Sequence, residues 1–146
     1  MRVPPGERMQ DGHRYEVVAV KKGCCETTFE ATKIQNIMKL HVGCGNVILP
    51  GWINVDIDNI PGVDIQDDVR TLTKIKDDSC DIIYASHVLE HFGRKEFESI
   101  LKVWNKKLKI NGILRLAVPD FEKAIGWYND TKKIEDVIGL ISGGQK

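Results

Sequence analysis

The sequence predicts an α/β domain with a mostly parallel sheet of about five strands and flanking helices. Three observations predict it. From Met38 onward, short apolar runs alternate with helical segments, and such alternation pairs strands in parallel. Two of the runs, "CDIIYAS" (Cys80–Ser86) and "GILRLAVP" (112–119), are almost continuously apolar, as strands are when both faces are covered. A glycine turn, Gly43-Cys44-Gly45, directly follows the first short strand, where glycine lets the backbone reverse sharply.

Residues 1–37 read differently from the rest. Residues 1–13 are Pro, Gly and charge and read as a mobile arm. "RYEVVAV" and "TTFEATK" are rich in β-branched and aromatic residues and flank "KKGCCE", so they predict an N-terminal β-hairpin. The domain proper spans 38–146, with strands at 39–42, 52–56, 63–66, 80–86 and 112–119. Phe97, Ile100, Leu101, Trp104 and Leu108 fall at helical spacing and form the apolar stripe of one amphipathic helix, ended by Asn111-Gly112 as a turn. Asp120 is placed to cap a helix running through Trp127. A last helix spans 134–141 and ends in Gly143-Gly144.

The totals exclude several classes. The chain has 146 residues, enough for one domain, with 42% hydrophobic and 29% charged residues. Lys plus Arg number 21 and Asp plus Glu number 21, so the basic excess of a nucleic-acid binder is missing. Lys102, Lys106, Lys107 and Lys109 read as a solvated helix surface. Cys24, Cys25, Cys44 and Cys80 make no C-x-x-C pair, and the adjacent Cys24 and Cys25 would form only a strained disulfide. We expect a reducing, cytoplasmic setting. The N-terminus lacks the apolar core of a signal peptide, and no run approaches the ~18 apolar residues of a membrane span.

The stretch "KLHVGCGNVILPGWINVDID" (39–58) is the most informative. A strand runs into the glycine turn, and the next strand ends in Asp56, placed to accept hydrogen bonds from both hydroxyls of a ribose. The dinucleotide fingerprint wants a third glycine and an acid ~20 residues on. Here Ile48 stands in place of that glycine, and Asp56 follows Gly45 too closely. "NVILPG" is too short for a crossover helix, so a pyrophosphate has no helix N-terminus to sit on. A nucleoside without phosphates suits better, with S-adenosylmethionine as the candidate.

"LHVGCG", "PGWINVDID", "DIIYASHVLEHF" and "GILRLAVPDFE", in this order and spacing, resemble a class I S-adenosylmethionine-dependent methyltransferase over residues 38 to about 128. The likeness is to the small type associated with polysaccharide biosynthesis. The resemblance implies a Rossmann-like sheet with the ligand over the carboxyl ends of its strands. It implies that Gly43, Cys44 and Gly45 lie under the methionine part of the cofactor, that Asp56 holds the ribose and that Ile57 packs on the adenine. Asp68 and Val69, in "QDDVR", match the position that meets the adenine amino group, although Asp68 could equally cap a turn. Ala85 and Ser86 would line the methionine side.

"HVLEH" (87–91) invites two chemistries. On one helical face, its two imidazoles and carboxylate match the H-x-x-E-H of a zinc peptidase. That enzyme needs a long helix and a further acidic ligand downstream, whereas Gly93 interrupts this one. A related E-x-x-E-H segment in some small-RNA methyltransferases holds a divalent metal, but the further ligand is not visible here, so no metal site is assigned. In a methyl-transfer cleft the protein mainly aligns acceptor, methyl and sulfur and excludes water. A hydroxyl acceptor is helped by a base, and histidine suits neutral pH. His87, directly after a strand, is the first choice and His91 the second.

Members of the resembled family usually continue past the fifth strand's helix to two more strands, so this chain is C-terminally short for it. The fifth strand would lie at an open edge, which invites pairing. Either the N-terminal hairpin or a second copy, in a homo-oligomer, can cover it. Two functions follow: a methyltransferase acting on a small hydroxyl-bearing or sugar/glycan acceptor, or a catalytically degenerate S-adenosylmethionine-binding or scaffold domain. Neither nucleic acid nor membrane is expected as a partner.

Overall fold

The computed structural model describes residues 14–23 and 37–142. In chain order its strands are β1 (Arg14–Val20), β2 (Lys39–Val42), β3 (Ile53–Asp56), β4 (Ile65–Gln66), β5 (Cys80–Ser86) and β6 (Leu108–Pro119). A 3₁₀ turn, Leu89–His91, and helix α1 (Arg94–Lys107) separate β5 from β6, and α2 (Phe121–Thr131) and α3 (Ile134–Ser142) follow. The sheet order is β1-β6-β5-β2-β3-β4. All pairs are parallel except β1 with β6, which is antiparallel from Arg14↔Pro119 to Val20↔Ile113.

The sheet therefore has six strands rather than the expected five. The added strand is the "RYEVVAV" run, and it lies along β6. The open edge of the fifth Rossmann strand is thus covered from within the chain, so β6 needs no second copy for this. The other half of the anticipated hairpin, "TTFEATK", and the arm 1–13 lie outside the described residues.

One face of the sheet holds the core. Leu40, Val42, Val55, Ile83, Ala85 and Leu114 pack with Ile100 and Trp104 of α1. Side chains alternate between faces along a strand, so Lys39 and His41 point the other way. There His41 stacks on Tyr84 at 5.3 Å between ring centroids, and Arg115 lies over Tyr84. The two apolar runs are accordingly not buried on both faces: in β5, Ile83 and Ala85 are buried while Ile82, Tyr84 and Ser86 are half-buried.

Several boundaries move for local reasons. Trp52 precedes β3 because its N–H bonds the Leu49 carbonyl in a turn at Gly51. Residues 63 and 64 stay outside β4, since Val63 N–H closes a turn on Ile60. Asn111-Gly112 does not end the helix. The helix stops at Lys107, and Asn111, at φ +65°, sits inside β6 where its register with β5 shifts between Cys80 and Ile82, as at a bulge. Gly112 is required there, because a Cβ would come within 2.8 Å of the Lys109 carbonyl. In α1, Ile100 and Trp104 are buried but Phe97 is exposed. Asp120 caps α2 as expected, accepting from Lys123 N–H.

The basic face is partly consumed in ion pairs: Lys107 reaches Asp77 at 2.7 Å and Lys109 reaches Asp81 at 2.8 Å. Among the described residues, no helix is long and apolar enough to cross a membrane.

Two predictions follow from the core. The Trp104 indole N–H donates to the Val69 carbonyl at 2.7 Å in a buried setting. Trp104→Phe leaves that carbonyl unsatisfied and should cost about 1–3 kcal/mol, read from urea unfolding. His41, only 2% exposed, has its pKa lowered by burial, against opposing effects of Asn54 and Asp56. The unfolded chain therefore binds the proton more readily. Stability from the neutral ring is complete above about pH 6.5 and is lost as pH falls through the folded-state value. Urea midpoints should drop between pH 7.5 and 5.5 in the wild type and drop less in His41→Gln.

Candidate functional site

The parallel strands β2 to β5 end on the same side of the sheet, and each delivers a loop there. In an open α/β sheet this edge is where ligands bind. A cavity of about 820 Å³ opens over it, lined by Gly43, Gly45, Asp56, Ile57, Asp58, Asp68, Val69, Arg70, His87, Val88, His91 and Phe92. Its size lies in the range of small-ligand sites.

The loop after β2 needs its glycines. Gly43 has φ +63° and Gly45 φ +50°, left-handed values that cost side chains strain. A Cβ on Gly43 would meet Val88 Cγ2 at 2.6 Å, whereas one on Gly45 would meet no atom within 4 Å. Gly43 thus brings the backbone against the Val88 loop, and Gly45 borders open space. Between them, Cys44 is buried, and its thiol pKa is raised by burial and by Asp56, so it is a packing group.

Asp56, at the end of β3, ties the loops together. Its Oδ2 accepts from Gly45 N–H at 2.8 Å and its Oδ1 from Asp58 N–H at 3.0 Å. Each carboxylate oxygen can accept two bonds, so one acceptor direction per oxygen remains for a ligand. Beyond β4, Asp68 Oδ1 accepts from Arg70 N–H and the carboxylate grips the Arg70 guanidinium. The Arg70 hydrogen bonds hold the Asp68 carboxyl below the usual range, against a smaller effect of burial. Asp68 therefore does cap its turn, while still facing the cavity.

His87 has φ +56°, a strained conformation for a residue with a side chain, and strain of this kind concentrates at functional sites. Its N–H is held by the Ala117 carbonyl, and Nδ1 lies 3.0 Å from Glu90 Oε1. A carboxylate only accepts, so in the neutral ring Nδ1 carries the proton and Nε2 keeps its lone pair. Because His87 is left-handed and the helical turn begins only at Leu89, "HVLEH" is not one helical face. Glu90 pairs with His87, and His91 lines the cavity separately. Among the described residues, no cluster of three or more His, Cys, Asp or Glu is arranged to hold a metal.

The cavity thus gathers Gly43, Gly45, Asp56, Ile57, Asp68, Val69, His87 and His91 of the residues singled out from sequence. Cys44, Ala85 and Ser86 are not among its lining: Cys44 and Ala85 are buried in the core, and Ser86 is half-buried at the end of β5. Sequence reading did not assign Asp58, Arg70, Val88 and Phe92. Arg70 had a signal, two residues past Asp68 in "QDDVR", whereas Val88 and Phe92 read only as helix-start apolar residues.

A mostly parallel α/β sheet with a glycine turn after β2, a carboxylate at the end of β3 and a cavity over its carboxyl edge defines a Rossmann-like protein. A family model described as a methyltransferase domain matches residues 40–116, more than half of the chain, and the chain belongs to that family. No curated protein and no solved structure matches it. The family normally uses S-adenosylmethionine.

The glycine geometry is testable by comparing two substitutions. Gly43→Ala combines backbone strain with the Val88 overlap and should destabilise by about 2–4 kcal/mol. Gly45→Ala carries only strain, about 1–2 kcal/mol. Equal losses in thermal or urea unfolding would refute the Val88 contact.

Proposed function

We propose that the protein is an S-adenosylmethionine-dependent methyltransferase whose acceptor is a small molecule bearing a hydroxyl, with His87 as the base. The carrying observation is Asp56: a buried carboxylate at the cavity wall, locked by two backbone N–H groups and with one acceptor direction free on each oxygen. That arrangement fits the paired hydroxyls of a ribose.

The other residues fit the same ligand. Ile57 offers an exposed apolar surface for an adenine ring, and Asp68 an acceptor for its amino group. Gly45 leaves room where a Cβ would intrude. Three carboxylates, Asp56, Asp58 and Asp68, face the cavity against one guanidinium, Arg70, and the excess of negative charge favours a cationic ligand. Cys44, Ala85 and Ser86 then act from behind the lining by shaping its floor.

When bound, S-adenosylmethionine supplies a methyl group made electrophilic by its positive sulfur. The protein's own part is alignment, exclusion of water and removal of one proton. Glu90 keeps the proton of the His87 ring on Nδ1, so Nε2 is free to take the proton of the acceptor hydroxyl. Phe92 and Val88 supply apolar wall beside it, which lowers local water access.

Titration calorimetry with S-adenosylmethionine and with its demethylated product tests the reading. Both should bind, and Asp56→Ala should weaken each at least tenfold, about 1.4 kcal/mol or more. Unchanged affinity in that variant would overturn the ribose assignment. Binding without turnover on a panel of hydroxylated acceptors would instead favour a degenerate binding domain.

A further inference from the structure

Helices α2 and α3 pack on each other, and each turns an apolar stripe outward. On α2, Phe121, Ile125 and Tyr128 fall at i, i+4 and i+7 and are 59%, 45% and 37% exposed. On α3, Ile134 and Ile138 are 47% and 55% exposed, and Ile141, one turn further, is half-buried. Side chains at these spacings share one face of a helix. The two stripes meet where Phe121 and Ile141 line a small cavity of about 280 Å³ together with Leu89, Phe97, Val118 and Pro119. A surface helix ordinarily turns its apolar stripe to the core. Here the smaller Ala124 and Val137 are buried, and larger apolar side chains stand outside.

Single exposed apolar residues are ordinary, but a contiguous patch marks an interaction site. The exposed parts of Phe121, Ile125, Tyr128, Ile134 and Ile138, with Phe97 beside the cavity at 38%, amount to roughly 500–600 Å². That is the size of the largest patches on monomers. Two copies pressed face to face would bury about 1,100 Å² in these side chains alone. With the surrounding rim they reach the ~1,200 Å² at which specific interfaces begin.

Shape and charge both favour a second copy as the occupant. The patch carries a projection, the Phe121 ring, and a recess, the cavity beside it. Under a twofold axis a surface faces itself, so a projection and a recess on one patch are self-complementary. Over residues 121–136, three lysines stand against four carboxylates. This near-neutral face does not repel its own copy, and it offers no basic excess to a polyanion or an anionic bilayer.

We propose that α2 and α3 form the twofold interface of a homodimer, in which the Phe121 ring of each copy seats in the apolar recess of the other. This interface is distinct from the sheet edge, where β1 already covers β6. Because α3 also packs on the Leu89–His91 turn, the interface backs the segment that follows His87. The proposal is independent of the methyltransferase reading.

Sedimentation velocity on the full chain tests it. The wild type should pass from monomer to dimer with a dissociation constant of about 1–100 µM, as fits an interface at the lower limit of area. Its urea midpoint should rise with protein concentration. Ile125→Asp places a charge within the patch and should weaken association at least tenfold, and Phe121→Ala, which removes the projection, at least fivefold. Both positions are exposed, so far-UV dichroism should not change, and the urea midpoint of Ile125→Asp should no longer depend on concentration. A wild type that stays monomeric at about 500 µM would overturn the proposal, whether or not that monomer adheres to neutral lipid vesicles. Undiminished association in either variant would also overturn it: with Ile125→Asp the interface would lie elsewhere, and with Phe121→Ala the recess would hold no partner ring.

Discussion

The bond from Gly45 N–H to Asp56 Oδ2 is the constraint on which the rest of the site depends. It joins the loop after β2 to the end of β3, two strands that already pair in parallel from Leu40↔Ile53 to Val42↔Val55. Without a helix between them, the short connection has little packing of its own to fix its path. The carboxylate supplies that fixing from the site side. Asn54, two residues earlier on β3, adds to it by accepting from Leu49 N–H and donating to the Leu49 and Trp52 carbonyls. The chain thus replaces a crossover helix with two side chains of β3, Asn54 and Asp56.

The same logic extends outward. Val69, one residue beyond the Asp68 turn, is held by Trp104 from the middle of α1. The helix that covers the core face is therefore also the support of a cavity wall. Val88 blocks any side chain at Gly43, so the loops after β2 and β5 meet in contact. Four loops from four strands are fixed to one another by backbone and core groups, which pre-organises a binding cavity before any ligand arrives.

Much of this was legible in the sequence. The order of apolar runs gave the parallel strands, and the glycine turn followed by Asp56 gave the centre of the cavity, because both rest on local chemistry: left-handed φ demands glycine, and a strand end displays its last side chain. What was not legible depended on distant contacts. The role of "RYEVVAV" required knowing which edge stood open, and Asn111-Gly112 reads as a turn unless the partner strand's shift at Cys80 is known. "HVLEH" misled in another way. Its spacing suits a helix, but His87 is left-handed, held by the Ala117 carbonyl of a neighbouring strand, and no window of sequence contains that bond.

The antiparallel strand at the sheet's edge has a kinetic consequence. β1 pairs with residues about 100 positions further along the chain, among the most distant contacts in the molecule, and closing so long a loop is slow relative to forming helices or neighbouring strand pairs. During synthesis, β6 emerges late and β1 must wait for it, an unpaired β-branched segment looking for an edge. Until the two meet, each is a template for intermolecular pairing. Pairing β1 with β6 removes both templates at once.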